Sequence, residues 1–251
     1  MFNNKFNVDE KRILITGASS GIGRETAIVL SNLGASLIIC GRDENRLKEV
    51  QTNLINKEKH ILFVGDLTDD AILNNLLSIT DGLDGVVLSA GIVKTLPIKF
   101  LNKDEIQNIM STNFEAPILL CQKLLKNKKI NKGGSIVFLS SISGVLKAEM
   151  GNGVYAASKG ALNAICKVIA LEVASQKIRA NSLCPGMVFS PLTQNGLKSI
   201  SAGQLAKHQS LYPLGYGTPE DVAYCISYLL SDASKWMTGA SIILDGGFSI
   251  N

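Results

Sequence analysis

The chain has 251 residues, of which 46% are hydrophobic and 18% are charged, and its formal net charge is +4. This composition predicts one domain with a large core, and the spread of the basic residues excludes the concentrated positive surface that nucleic-acid binding requires. Two histidines exclude a histidine-rich metal site, five scattered cysteines are expected to be reduced, and the lack of a recognisable membrane span or signal peptide predicts a cytoplasmic protein without a membrane partner.

Seven short apolar runs alternate along the chain with stretches of helical periodicity. The runs are residues 12–17, 36–41, 60–65, 84–91, 134–141, 177–186 and 240–247. The first helical stretch ends at a plausible capping glycine, Gly34, and the longest helices are expected at 103–128 and 154–175. Strands that alternate with helices favour a parallel sheet covered on both faces, joined by right-handed crossovers. The sequence therefore predicts a single doubly wound α/β domain over residues 1–251.

A glycine-rich turn, TGASSGIG at residues 16–23, joins the first strand to the first helix. Gly17, Gly21 and Gly23 would let the backbone approach a pyrophosphate at a helix N-terminus, where free N–H groups favour anions. Ligands of such sheets bind beyond the carboxyl ends of the strands, where this turn lies. The motif favours a Rossmann-type dinucleotide site, and a tight turn that needs its glycines only for packing is the alternative.

The end of the second strand reads CGRDE and bears on the cofactor. Enzymes that use NAD usually carry an acid there for the ribose 2′-hydroxyl, whereas the guanidinium of Arg42 suits a 2′-phosphate. We therefore expect NADP(H) to be favoured over NAD(H). Asp43 would weaken this expectation if it pointed into the site. Arg24 is either a second phosphate partner or a solvent-facing helix residue.

Tyr155 and Lys159 lie four positions apart in VYAASKG, residues 154–160. On a helix this spacing places both side chains on one face. An ammonium beside a phenol favours the phenolate and lowers the tyrosine pKa, which creates an acid suited to neutral pH. A solvated pair on a helix surface is the alternative.

The motifs TGASSGIG, GDLTD, LSAG, STN, SSISG, YAASK, CPG and LDGG occur in this order between about Lys11 and Gly247. Together they resemble the short-chain dehydrogenases/reductases, and most of all the 3-oxoacyl-carrier-protein reductase type. The resemblance implies hydride transfer from NADPH to a ketone carbonyl, with a 3-oxoacyl thioester as one candidate. An NADP-linked dehydrogenase of a sugar or other secondary alcohol, and a dinucleotide-binding regulator without turnover, are the alternatives.

The resemblance also implies a catalytic tetrad. Tyr155 would be the general acid, Lys159 would tune it and bind the nicotinamide ribose, Ser141 would hold the substrate carbonyl, and Asn113 would hold a water that links the lysine to solvent. Because the loop after Ser141 is one residue longer than is common, Ser143 is the reserve serine.

The cofactor-binding positions come from the same resemblance. Asp66 is expected to meet the adenine amino group, or else to cap the helix near Asp69. Pro185 and Gly186 are expected to contact the nicotinamide, or else to form a plain turn. The full set comprises Gly17, Ser19, Ser20, Gly21, Ile22, Gly23, Arg42, Asp66, Leu67, Ala90, Gly91, Tyr155, Lys159, Pro185, Gly186, Val188 and Ser190.

Two residues depart from the family pattern. Ser89 replaces an asparagine that supports the central sheet, and Tyr216 stands where a basic residue is frequent, with no role that the sequence indicates.

Residues 187–215 match the variable substrate lid of the family. The resemblance implies a homotetramer formed through helices 103–128 and 154–175 and the C-terminal segment. A small-molecule carbonyl or alcohol is the expected substrate. Four lysines could receive an acyl carrier protein or could be a solvated helix end: Lys126, Lys128, Lys129 and Lys132.

Overall fold

The computed structural model describes residues 4–193 and 201–251. Seven parallel strands form one sheet in the order β3-β2-β1-β4-β5-β6-β7, which confirms the predicted doubly wound architecture. The strands are β1 Arg12–Thr16, β2 Ser36–Gly41, β3 Ile61–Val64, β4 Leu83–Leu88, β5 Ile130–Leu139, β6 Arg179–Pro185 and β7 Ser241–Leu244. Each predicted run overlaps one strand, although β4 begins one residue and β5 four residues before the predicted run. The order reverses between β1 and β4, so a cleft is expected at the carboxyl ends of these two strands.

The helices lie between the strands. They are α1 Gly21–Asn32, α2 Glu44–Thr52, α3 Asp70–Ile79, α4 Lys103–Met110, α5 Ala116–Lys126, α6 Gly153–Val173, α7 Ala202–Gln209 and α8 Pro219–Leu230. Local sequence explains several of their ends. Asp43 caps α2 by accepting from the Arg46 N–H at 3.0 Å, and Asp69 caps α3 by accepting from the Ala71 N–H. Gly34 follows α1 at φ 88°, as the capping prediction requires.

Two apolar cores cover the two faces of the sheet, because successive strand residues point to opposite sides. In β1, Ile13 and Ile15 belong to the core under α1, α2 and α8, whereas Leu14 belongs to the core under α3, α5 and α6. Four of the five cysteines are buried, and all five are free thiols, as expected. The cores leave the carboxyl ends of the strands open to a ligand.

The predicted helix 103–128 contains a π-helical turn. This turn, Ser111–Glu115, joins α4 to α5 and contains the buried Asn113. A π-turn inserts one extra residue into the helical ladder and re-aims the side chains that follow. Helical structure therefore extends from Lys103 to Lys126, close to the predicted bounds, and the π-turn falls on a predicted site residue.

One helix bears on the expectation that the chain has no membrane span. The segment Gly153–Gln176 has the length and apolar composition of a membrane span. Such a segment is also typical of a core helix in a water-soluble domain. Here its inner face packs against β6, and it carries the buried polar residues Ser158, Lys159 and Asn163. The composition of this helix is therefore weak support for a membrane span.

Candidate active site

The glycine-rich turn between β1 and α1 passes within contact distance of the segment after β4. Gly17 has φ 67°, and a Cβ atom there would lie 2.7 Å from the Cα of Ala90. A Cβ at Gly23 would lie 2.4 Å from the carbonyl oxygen of Gly17. Only glycine fits these two positions, since the neighbouring atoms are main-chain atoms that cannot move aside. The turn thus presents bare backbone at the N-terminus of α1, which suits a pyrophosphate.

A cleft of about 210 Å³ runs from this turn along the carboxyl ends of β1, β2 and β4, and we call it the glycine cleft. It gathers most of the predicted cofactor residues. These are Gly17, Ser19, Ser20, Gly21, Ile22, Gly23, Arg42, Asp66, Leu67, Ala90, Gly91 and Ser190. Sequence reasoning missed an adjoining wall from the end of β2, the π-turn and α5. It comprises Cys40, Thr112, Ala116, Pro117 and Leu120. The neighbouring STN motif was the available signal for Thr112.

Arg42 stands at the mouth of the glycine cleft with Asp66 as its partner. The Arg42 Nη1 and Asp66 Oδ2 atoms are 3.6 Å apart, and both side chains are about half exposed. Partial burial raises the pKa of Asp66, but hydrogen bonds from Thr68 and the charge of Arg42 outweigh this effect and hold the pKa below its usual value. Asp66 does not cap a helix, because Asp69 performs that task.

Two other charged residues were considered for the 2′ end of the cofactor, and neither lies in the glycine cleft. Asp43 accepts from the first turn of α2 and pairs with Arg46 at 3.3 Å, so it does not line the glycine cleft. Arg24 pairs with Glu25 at 3.7 Å and does not line the cleft either. Arg42 is therefore the arginine that the structure places at the cleft.

Tyr155 and Lys159 share one face of α6, at the carboxyl end of β5. The Lys159 Nζ atom lies 5.8 Å from the centre of the Tyr155 ring and donates to the Leu139 carbonyl at 2.7 Å. Burial lowers the pKa of Lys159 to about 8, against a smaller opposing effect of Cys184. The lysine is thus a buried cation, and the surface-pair alternative is wrong.

The pKa of Tyr155 moves in the direction opposite to the sequence expectation. Burial raises the pKa of Tyr155, the Ser141 hydroxyl lowers it by a smaller amount, and the nearby Glu149 carboxylate raises it further. The Lys159 ammonium is directed at the Leu139 carbonyl, so burial dominates. Tyr155 is therefore a protonated phenol at neutral pH.

The side chain of Asn113 is engaged by protein groups. Its Oδ1 accepts from the Ile92 N–H at 2.8 Å, and its Nδ2 donates to the Ile92 carbonyl at 2.9 Å and to the Ser158 hydroxyl at 3.1 Å. Ser158 in turn donates to the Tyr155 carbonyl at 2.7 Å. Asn113 thus ties the segment after β4 to the first turn of α6. Ser158, which sequence reasoning missed, carries this link.

Ser141 follows the end of β5 and is 9% exposed. Its hydroxyl accepts from the Ser143 N–H at 3.2 Å, which begins a short 3₁₀ turn over Ile142–Gly144. Ser141 is the serine whose hydroxyl interacts with Tyr155. Its position favours Ser141 over the reserve residue Ser143.

The segment after β6 carries the remaining predicted residues. Pro185 ends β6, and the Gly186 N–H donates to the Leu244 carbonyl of β7 at 3.0 Å. A Cβ at Gly186 would lie 3.0 Å from Asp245 and 3.1 Å from the Tyr212 ring, so glycine is needed here for close packing. Val188 forms an isolated parallel bridge with Gly217. This segment lies beside the glycine cleft without lining it, except at Ser190 and Leu192.

Comparison with known proteins identifies the family and supports the fold. A family model described as enoyl-(acyl carrier protein) reductase matches residues 17–249. The 3-oxoacyl-(acyl-carrier-protein) reductase FabG of Rickettsia prowazekii is 35% identical over 239 residues, covering 94% of this chain and 96% of that protein. The chain belongs to the short-chain dehydrogenase/reductase family. It is accordingly an oxidoreductase of a family that binds a nicotinamide dinucleotide.

Two further relatives extend this comparison. A tropinone reductase homolog of Arabidopsis thaliana is 29% identical and covers 99% of this chain and 95% of that protein. A short-chain dehydrogenase/reductase structure from Mycobacterium marinum superposes with a TM-score of 0.87 at 30% identity, covering 99% of both chains. The chain therefore spans the full length of the family fold.

Two departures from the short-chain dehydrogenase/reductase pattern have structural explanations. The Ser89 hydroxyl donates to the Thr16 carbonyl, and the Ser89 and Ala90 N–H groups donate to the Thr16 hydroxyl. Serine thus still ties β4 to β1. A Cβ at Gly23 would lie 2.7 Å from the Ser89 hydroxyl, so this small residue also fits against α1.

Tyr216 belongs to an aromatic cluster, which we define as His208, Tyr212, Tyr216 and Phe248. The Tyr216 hydroxyl and His208 Nδ1 are 2.5 Å apart, so the tyrosine links the segment after α7 to α7 itself. Tyr212 stacks on Phe248 at 4.4 Å, and its hydroxyl accepts from the Met187 N–H. The cluster thus joins the predicted lid to the C-terminal segment. Residues 194–200 of the lid lie outside the described residues.

The predicted lysine cluster does not border the site. It extends from the C-terminal end of α5 to the start of β5, at the amino ends of the strands, whereas the glycine cleft lies at their carboxyl ends. Since parallel strands all point the same way, this placement favours a solvated helix end. Among residues 4–193 and 201–251, no three His, Cys, Asp or Glu side chains lie close enough to hold a metal ion.

Proposed function

We propose that the protein is an NADPH-dependent reductase that transfers a hydride to a ketone carbonyl, with 3-oxoacyl thioesters as the leading substrate class. The observation that carries this proposal is the placement of Tyr155 beside the buried Lys159 and Ser141, with the Lys159 ammonium next to Gly91 of the glycine cleft. The FabG relative, whose name states this reaction, supports the substrate class.

In this proposal each residue of the tetrad has one task. Ser141 orients the substrate carbonyl through its hydroxyl, and Tyr155 donates its phenolic proton to the carbonyl oxygen. Lys159 places a positive charge beside the ring and so stabilises the phenolate that remains. Asn113 holds the Ile92 main chain and, through Ser158, the first turn of α6. Both hydrogens of the Asn113 Nδ2 atom are used, so a water on Asn113 would have to donate to one of its oxygen atoms.

The glycine cleft would hold the cofactor, and bound NADPH supplies the hydride. The bare backbone at Gly17 and Gly23 fits a pyrophosphate, which side chains at these positions would displace. Asp66 and Leu67 would hold the adenine end, and Pro185 through Val188 would face the nicotinamide end. Arg42, a half-exposed cation at the cleft mouth, supports a preference for NADP(H) over NAD(H) because a 2′-phosphate offers it two charged oxygens.

The state of Tyr155 is compatible with the proposed reduction. A general acid must begin the reaction protonated, and burial keeps the phenolic proton in place at neutral pH. Oxidation of a sugar or other secondary alcohol would use the same residues with the proton moving the other way, so trials with ketones and alcohols distinguish the two reactions.

The deciding experiment measures NADPH consumption with an acetoacetyl thioester, with the Tyr155→Phe protein alongside. We expect rapid consumption by the wild type and none above background by the variant. If the wild type binds NADPH tightly but leaves the thioester unchanged, the substrate is a ketone of another class. Consumption that survives in the variant would contradict the role of Tyr155.

We further propose a cytoplasmic homotetramer. Two exposed apolar surfaces support it. On α5 and α6, Leu119, Val168 and Leu171 are 44%, 51% and 80% exposed, and near the C-terminus Trp236 and Ile250 are 98% and 90% exposed. Exposed apolar groups of this size mark association surfaces. Light scattering after gel filtration should give four chains per particle, and Leu171→Glu should give smaller particles.

A further inference from the structure

A buried polar cluster lies beneath the tetrad, and the proposed mechanism does not use it. It consists of Ser140 after β5, Asn163 on α6 and Cys184 in β6, and we call it the polar triad. Their exposed fractions are 4%, 7% and 0%. Polar groups buried to this degree destabilise a fold unless they are hydrogen-bonded, so their partners indicate what they do.

The hydrogen bonds of the triad converge on the main chain of Lys159. Ser140 Oγ donates to the Lys159 carbonyl at 2.8 Å. Asn163 Nδ2 donates to the same carbonyl at 3.0 Å and to Ser140 Oγ at 2.6 Å. Cys184 Sγ donates to Asn163 Oδ1 at 3.3 Å. Both amide hydrogens of Asn163 are thus used, and its oxygen faces the thiol.

Each hydrogen-bond direction agrees with the chemistry of the partners. The Lys159 carbonyl can only accept, which requires Nδ2 of Asn163 to point toward it. Burial raises the pKa of Cys184 to about 11, so at neutral pH the sulfur carries the proton that it donates. The triad is therefore a closed network of neutral groups.

The position of the triad in the chain gives it a consequence for the site. Ser140 directly precedes Ser141, and Cys184 directly precedes Pro185. The Lys159 Nζ atom donates to Leu139, the residue before Ser140. The side chain and the carbonyl of Lys159 are thus held against the last residue of β5 and the residue that follows it, while Asn163 connects this segment to β6.

We propose that Asn163 is a positioning residue, which acts with Ser140 and Cys184 to hold Lys159 in register with Ser141 and Pro185. The roles of those three residues rest on the proposed function. Asn163 touches none of the reacting atoms. Its loss is expected to loosen the first turns of α6 against β5 and β6, and so to move the ammonium away from the Tyr155 ring.

The principal test replaces Asn163 by leucine, which has a similar volume and forms none of the three hydrogen bonds. We expect kcat with NADPH and an acetoacetyl thioester to fall about tenfold or more, while the KM for NADPH stays within about threefold. This division is expected because the triad residues do not line the glycine cleft, and Lys159 would supply only one of the many contacts to the cofactor. Ser140→Ala removes part of the network and serves if the leucine variant does not fold.

A second measurement does not depend on turnover. The ionisation of Tyr155 is followed by tyrosinate absorbance, with the Tyr155→Phe form of each protein subtracted. We expect Tyr155 in Asn163→Leu to ionise about half a pH unit or more above its wild-type value, because displacement of Ser140 and Ser141 weakens the interaction by which the Ser141 hydroxyl lowers the Tyr155 pKa. If the wild type does not reduce the thioester, the proposed substrate fails, and this titration still decides the role of Asn163.

The control is Ser135→Ala, in the middle of β5. Ser135 is also fully buried, and its hydroxyl donates to the Leu229 carbonyl at 2.7 Å, remote from the tetrad. It should lower the melting temperature while leaving kcat and the Tyr155 titration unchanged. If Asn163→Leu and Ser140→Ala behave like this control, the triad is purely structural and the proposal is wrong. The double variant that combines Ser140→Ala and Asn163→Leu should lose about as much kcat as the more impaired single variant, because both changes remove the same hydrogen-bond network.

Discussion

The two sides of the site are built differently. The glycine cleft is shaped by main-chain atoms, with Gly17 packed against Ala90 and Gly23 against Gly17. The substrate side is shaped by side chains from separate segments, namely the loop after Ser141, the segment after β6, α7 and the C-terminus. A main-chain surface suits a ligand that all family members share, whereas a side-chain surface can change without altering the fold. The difference predicts that changes on one side leave the other intact.

The largest expected effect falls where the two sides meet. Tyr155→Phe removes the phenolic proton and little else, so turnover should fall by about 10³-fold while NADPH affinity stays within a few-fold. Steady-state kinetics and a fluorescence titration with NADPH measure the two quantities. Near wild-type turnover would show that Tyr155 is not the acid, and a parallel loss of affinity would show that the two sides are not separable.

Gly17→Ala tests the main-chain side. A Cβ atom at φ 67°, 2.7 Å from the Ala90 Cα, should lower the free energy of unfolding by about 2–4 kcal/mol and impair NADPH binding. The control is Gly203→Ala on α7, where, among residues 4–193 and 201–251, no atom outside the local helix backbone and the chain neighbours lies within 4 Å of the added methyl group. There the higher helix propensity of alanine should stabilise the protein by up to about 1 kcal/mol. Urea denaturation measures both changes, and equal responses would contradict the main-chain account.

The buried lysine gives a dependence on pH. The pKa of Lys159 is about 8 in the folded protein and 10.5 in the reference state. Between these values the unfolded chain holds a proton that the folded chain has lost, so stability should rise with pH in this window. From about pH 7.5 to 9.5, the wild type should gain about 2 kcal/mol relative to Lys159→Met. The variant is needed as a reference, because the raised pKa values of Cys184 and Tyr212 act in the opposite direction at higher pH. A constant difference would show that the ammonium is solvated.

Arg42→Ala examines the cofactor preference within the main-chain side. If the guanidinium meets a 2′-phosphate, the variant should lose about tenfold or more in NADPH affinity and only a few-fold in NADH affinity. The control is Arg24→Ala, since Arg24 lies outside the cleft and pairs with Glu25. Equal losses for both cofactors in Arg42→Ala would remove the argument for NADP(H).

Features set by local sequence could be predicted, whereas features set by contacts between distant residues could not. The alternation of strands and helices, and the glycine turn, are local patterns, and both are present as expected. The π-turn around Asn113 was not predictable, because the hydrogen bonds of Asn113 run to Ile92 and Ser158, 21 and 45 residues away. The direction of the Tyr155 pKa was also missed, because burial against the rest of the fold outweighs a neighbour four residues along the helix.

The smallest expected effect concerns the aromatic cluster on the substrate side of the site. Tyr216→Phe keeps the ring in the aromatic cluster and removes only the hydroxyl that meets His208 Nδ1 at 2.5 Å. One such hydrogen bond contributes about 0.5–1.5 kcal/mol, so α7 should be held less firmly and the KM for the ketone should rise a few-fold. The affinity for NADPH should not change, because neither residue lines the glycine cleft.

The matched variant is His208→Phe, which removes the other member of the pair. If the hydrogen bond carries the effect, both single variants and the double variant should show the same rise in KM. A rise in KM for NADPH of the same size would mean that the aromatic cluster also supports the main-chain side. In that case the separation of the two sides would hold for the glycine turn alone and not for the whole cleft.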